Sequence, residues 1–142
     1  MKLLVQIILI SLISINTFAQ SNTENWIPVI STGTKHIYID VYGLDSFKGD
    51  DIYLWTMQNF DKPLDMQGIK RDIYQTRTYY LMNKKLKEYS ILEIVFYDED
   101  GNVITSYSYH HDTNIQKYRY NYPIFPGSDM DSILNKALEY IK

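Results

Sequence analysis

The side chains with chemistry to offer sit in polar stretches and at strand ends. Asp50-Asp51 and the pair Asp61/Asp65 are carboxylates close enough in sequence to share acid–base work. No Ser sits in a nucleophile elbow and no glycine-rich phosphate loop is present, so solvated loop charges account for them better. Asp98-Glu99-Asp100-Gly101-Asn102 has a calcium-like look, yet it lacks the alternating ligands and terminal Glu of an EF-hand loop. A hairpin turn accounts for each of its residues. His110 and His111 are adjacent at a strand end, point to opposite faces and do not chelate one ion together; His36 is far from both in sequence. With no Cys there is no disulfide, no thiolate nucleophile and no thiolate metal site. The chain therefore predicts no catalytic residue, no metal ligand and no cofactor.

Tyrosine is the compositional oddity, at 14 of 142 residues. It is an apolar body with a polar tip, suited to strands and to surfaces wet on one side. Lys117-Tyr118-Arg119-Tyr120-Asn121-Tyr122 interleaves cations and rings in a way that suits stacking on single-stranded nucleic acid or on sugars. The net charge of −3, more negative once Lys2 is lost, argues against a nucleic-acid partner. Tyr107, Tyr109, Tyr118, Arg119 and Tyr120 are the predicted interaction surface, and a protein is the predicted partner.

These residues need elements to hold them. Lys2, the apolar run from Leu3 to Ile15 and the small residues Thr17 and Ala19 predict a signal peptide over 1–19. The run is shorter than the roughly 20 residues a membrane span needs, so no transmembrane segment is expected after cleavage. A single domain over 20–142 then follows, exported to the periplasm, the cell surface or the medium. Trp26 to Ile30, His36 to Val41, Ile52 to Met57 and Ile69 to Met82 read as strands, with Pro28 placing the first at a sheet edge. Asn59 to Gly68, with Lys62-Pro63, reads as a loop.

Ser90 to Tyr97 and Val103 to Tyr109 form the central hairpin around a three-residue loop, Glu99-Asp100-Gly101. That loop pairs Tyr97 with Val103 and Phe96 with Ile104. It puts Leu92, Ile94, Phe96 and Ile104 on one face, and Ile91, Val95, Tyr97, Val103, Tyr107 and Tyr109 on the other. A helix opens at Ser128 with Asp131 three residues on, and Met130, Ile133, Leu134, Ala137, Leu138 and Ile141 make one apolar stripe. The face of Leu92, Ile94, Phe96 and Ile104 is its expected bed. The fold class predicted is α+β: an antiparallel sheet of about six strands with the C-terminal helix packed on one face.

The order of landmarks resembles the bacterial surface-adhesin protein E family. Trp26, then Tyr38-Ile39-Asp40, then Leu54 to Pro63, the hairpin from Tyr97 to Ile104 and Pro126-Gly127-Ser128 follow one another as they do there. The resemblance covers nearly the whole mature chain. It implies a small antiparallel sheet carrying a C-terminal helix, and a homodimer formed through the sheet. Family members often carry two bridged Cys, where this chain has Met82 and, near its end, Tyr140 or Ile141. The function this implies is that of a non-catalytic binding protein touching host or envelope macromolecules. A periplasmic inhibitor or small-ligand module is the alternative.

Overall fold

The computed structural model describes residues 23–109, 115 and 119–142. The expected signal peptide over 1–19 lies outside the described residues, as do His110, His111 and Tyr118.

Six strands follow one another as an antiparallel meander: β1 (Trp26–Thr32), β2 (Lys35–Asp40), β3 (Asp51–Met66), β4 (Ile69–Asn83), β5 (Glu88–Tyr97) and β6 (Val103–Ser108). A short β7 (Tyr122–Pro123) pairs with the start of β5, and α1 (Asp129–Leu138) closes the chain. Among the described residues strand takes 55% and helix 12%, so the architecture is mainly β and not the predicted α+β. The reason is that α1 has only ten residues and covers one end of one face, while strand pairing holds the rest. Its expected stripe continues to Ile141, but the last turn tightens. Tyr140 N–H donates to the Ala137 carbonyl at 3.0 Å, a three-residue step.

The N-terminus of α1 forms as its sequence predicts. The Ser128 hydroxyl accepts from Asp131 N–H at 3.2 Å, and the Asp131 carboxylate accepts from Gly127 N–H at 3.0 Å. Pro28 does lie in an edge strand, beside an irregularity between Pro28 and Ile30. The segment read as a loop over Asn59 to Gly68 is strand up to Met66 instead. β2 stops pairing at Phe60, so beyond it β3 and β4 form a two-stranded ribbon. There Pro63 falls in the irregularity between Asn59 and Leu64, where its missing N–H interrupts no ladder bond.

The hairpin turn is as predicted, but its register is not. Gly101 adopts φ 79°, Asp98 N–H donates to the Asn102 carbonyl at 3.0 Å, and Tyr97 faces Val103. A bulge then puts Phe96 opposite Thr105, not Ile104, and Ile94 opposite Tyr107. Tyr107 thus joins Phe96, with ring centroids 6.0 Å apart in an edge contact. A second irregularity, between Tyr79 and Tyr80, leaves Leu92 without a partner on β4.

The bed of the helix lies over β2, β3 and β4 instead. Ile133, Leu134 and Ala137 pack into a cluster with Ile37 and Ile39 of β2, Ile52 and Leu54 of β3, and Met82 of β4. Val41, Leu44 and Ile124 fill its margins. The predicted bed at Leu92, Ile94, Phe96 and Ile104 is not part of that cluster. Met82, where the family's first Cys was expected, is fully buried inside it.

Candidate functional site

The sheet face turned away from α1 carries the rings. Register places Asp51, Tyr53, Trp55 and Met57 of β3 opposite Asn83, Leu81, Tyr79 and Arg77 of β4. Trp26 and Tyr38, across from Asp40 and Met57, extend this face through β1 and β2. Val95 and Tyr97 extend it through β5. Trp26, Tyr53, Trp55, Tyr79, Arg77 and Tyr97 are all half-buried. A row of large aromatic residues that keeps part of each ring in solvent is unusual for a core and normal for a contact surface.

The rings are ordered by one another. Trp55 and Tyr79 stack at 4.9 Å between centroids and 20° between planes. Tyr79 meets Tyr53 at 6.2 Å, and Tyr53 meets Phe47 at 6.1 Å. Burial, with Tyr53 adding to it, pushes the Tyr79 phenol above its ordinary pKa. Beside this row the Arg77 guanidinium lies 5.3 Å from the Trp26 ring centroid and 5.1 Å from that of Tyr97. A cation is attracted by each ring's quadrupole, so the arrangement holds three side chains together. Glu24 completes it by accepting from the Trp26 indole N–H and from Arg77, each at 3.0 Å.

One cleft of about 240 Å³ opens among Glu24, Trp26, Asp40, Trp55, Arg77 and Tyr97. A second, of about 350 Å³ and mostly apolar, lies among Phe47, Tyr53, Leu54, Trp55 and Tyr79 and shares Asp40 with the first. The Asp40 carboxylate is set by its neighbours, one oxygen accepting from Asn25 N–H at 2.8 Å and Tyr42 N–H at 3.0 Å.

The predicted interaction residues that the structure describes lie at two separate places on the sheet. Tyr107 and Tyr109 are each 47% exposed, and Tyr107 lies with Phe96 and Ile94 on the α1 side of the sheet plane. Arg119 and Tyr120 lie at one end of the opposite, aromatic face and are tied down there. Arg119 pairs with Asp51 at 2.6 Å, and Tyr120 hydrogen-bonds Asp51 and Asn83. A hydrogen bond to Tyr53, ahead of the nearby Asp51 charge, holds the Arg119 guanidinium above its usual pKa. The Tyr120 phenol is raised by burial and by its bond to Asp51. The Ser90 hydroxyl donates to the Arg119 carbonyl at 2.8 Å, which seats this segment on β5. Tyr118 lies outside the described residues.

Sequence reasoning missed Arg77 and its two rings. The signal was there, since Gln75, Arg77, Tyr79, Leu81 and Asn83 alternate along β4, but only the register sets Arg77 between Trp26 and Tyr97. Among the loop carboxylates, Asp51 is taken up by Arg119 and Tyr120. Asp61 stands 3.6 Å from His36, whose other ring nitrogen meets Ser31. Among the described residues no group of three or more His, Asp or Glu is placed to hold a metal ion.

A family model described as surface-adhesin protein E matches residues 26–137, from the first residue of β1 to within a residue of the end of α1. The chain belongs to the surface-adhesin protein E family. Its matched span contains the whole meander, the aromatic face and nearly all of the closing helix, so this is a surface adhesin-like protein. No curated protein and no solved structure matches the chain significantly. Among the described residues no helix is long and apolar enough to cross a membrane.

Proposed function

We propose that this adhesin-family chain is an exported, non-catalytic binding protein that grips a protein partner with the aromatic face of its sheet. The observation that supports this reading is the half-buried row of Phe47, Tyr53, Tyr79 and Trp55 beside the Trp26–Arg77–Tyr97 cluster. Aromatic residues and arginine dominate the energetics of protein contacts because they bury much area at little entropic cost. The rings here are already ordered by mutual stacking, so a partner loses little entropy in meeting them. One pair, Trp55 and Tyr79, is stacked and the others are tilted, so the row offers ring edges and hydroxyl tips as well as ring faces, a mixture that suits a peptide surface. Tyr107 and Tyr109 are a second, separate contact patch in this reading, on the other side of the sheet.

The test compares binding of the exported protein to host-cell or envelope surfaces with that of two double variants. Tyr79→Ser/Tyr97→Ser is expected to lose most binding while the protein stays folded. Tyr107→Ser/Tyr109→Ser is expected to lose less. Full binding by the first variant would place the contact surface elsewhere. The small cleft beside Asp40 favours a second reading, a periplasmic inhibitor or small-ligand module. Protein that stays in the periplasm, unlabelled on intact cells, would support that one.

A further inference from the structure

We infer that the partner presents a lysine or arginine side chain, with an apolar one beside it, to the two clefts that share Asp40 and Trp55. This inference deepens the proposed function and rests on the aromatic face being the binding face. The first cleft is lined by three charged groups, of which Glu24 and Asp40 are anionic and Arg77 cationic, leaving an excess of negative charge. Arg77 is already satisfied, with Glu24 at 3.0 Å and two aromatic rings within 5.3 Å. Its placement shows that this surface accommodates a guanidinium between rings and a carboxylate.

Asp40 is the group left to act. One of its oxygens is fixed by two main-chain N–H groups, and among the described residues the other has no hydrogen-bond partner. A carboxylate so oriented, beside the Trp55 ring, is a preorganised acceptor for a visiting ammonium or guanidinium. Across the Asp40–Trp55 divide, the second cleft offers Phe47, Tyr53 and Tyr79 to the neighbouring side chain. The net negative charge of the whole chain steers a basic segment in the same direction.

The test titrates the exported protein with acetyl-Ser-Lys-Phe-Ser-amide and with the same peptide acetylated at the lysine Nε, following the two indole N–H resonances. The lysine peptide should shift Trp55 and Trp26 and bind about five-fold tighter than its neutral twin, as an exposed ion pair aided by a ring predicts. Asp40→Asn keeps an acceptor for Asn25 and Tyr42 N–H, and should bind both peptides equally. Equal affinity of the two peptides for the wild type overturns the inference, and so does an Asp40→Asn protein that still prefers lysine. In both cases shifts at the indoles leave the aromatic-face reading standing. No shift with either peptide overturns the inference and counts against that reading as well. Should Asp40→Asn not fold, the comparison of peptides on the wild type decides alone.

Discussion

At the scale of single residues, the molecule relies on carboxylates that accept from the backbone. Asp98 is the clearest. Its side chain accepts from Asn102 N–H at 2.8 Å and from Asp100 N–H at 3.1 Å, and it pairs with Arg71. The bond from Asn102, helped by Arg71, holds its pKa below the ordinary carboxylate value. A depressed carboxylate stabilises the fold above its unfolded pKa, and that contribution disappears as pH falls through the folded value. Protection of the Asp100 and Asn102 amides, measured against the intrinsic exchange rate at each pH, should therefore fall on acidification before that of the β4–β5 ladder. Asp98→Ala should produce the same local fraying at neutral pH. Tyr120→Phe tests the other end of the sheet: losing the hydroxyl's bonds to Asp51 and Asn83 should cost about 1 kcal/mol in denaturant unfolding.

At the scale of elements, the bed of α1 decides which side chains are coupled. Leu134 is fully buried, so Leu134→Ala should cost roughly 2–5 kcal/mol. Combined with Leu54→Ala, a member of the same cluster, the losses should fall short of additive. Combined with Leu92→Ala they should add, because Leu92 sits at a bulge of β5 and outside that cluster. Sub-additivity with Leu92 would return the helix to the bed the sequence suggested. That bed was misread for a physical reason. Alternation is a reliable guide to the faces of an unbroken strand, and it correctly groups Tyr53, Trp55 and Met57. A bulge inverts the phase from that point on without any local signature, which misplaces Leu92 and Ile104, whereas Ile94 and Phe96 keep the α1 side and lie on a strand outside the cluster that beds the helix. The turn at Gly101, the cap at Ser128 and the edge at Pro28 were legible because each depends on one residue's own backbone chemistry. The cluster at Arg77 was not, since it joins β1, β4 and β5. Pro63 misled in the opposite direction, its ring being harmless where the β3–β4 ribbon has outrun its neighbours.

At the scale of the whole molecule, α1 covers one end of one face of the sheet, and the other face keeps its row of rings half-buried. The tyrosines of both sides report on stability in alkali. Tyr79, Tyr80, Tyr89 and Tyr120 all have raised phenol pKa values, with burial as the first cause in each. A group raised in the fold contributes stability that is complete below its unfolded pKa, about 10 for tyrosine, and is lost as pH rises through the folded value. The melting temperature should hold up to that range and then fall, and tyrosine ionisation followed by absorbance should coincide with unfolding. The aromatic face is the central claim, and oxidative footprinting of the exported protein, free and bound to the surface it adheres to, tests it most directly. Trp26, Trp55, Tyr79 and Tyr97 should be labelled in the free protein and protected when it is bound, while Met82, buried under α1, stays unlabelled in both. Protection at Tyr107 and Tyr109 with Trp55 and Tyr79 unchanged would contradict the account.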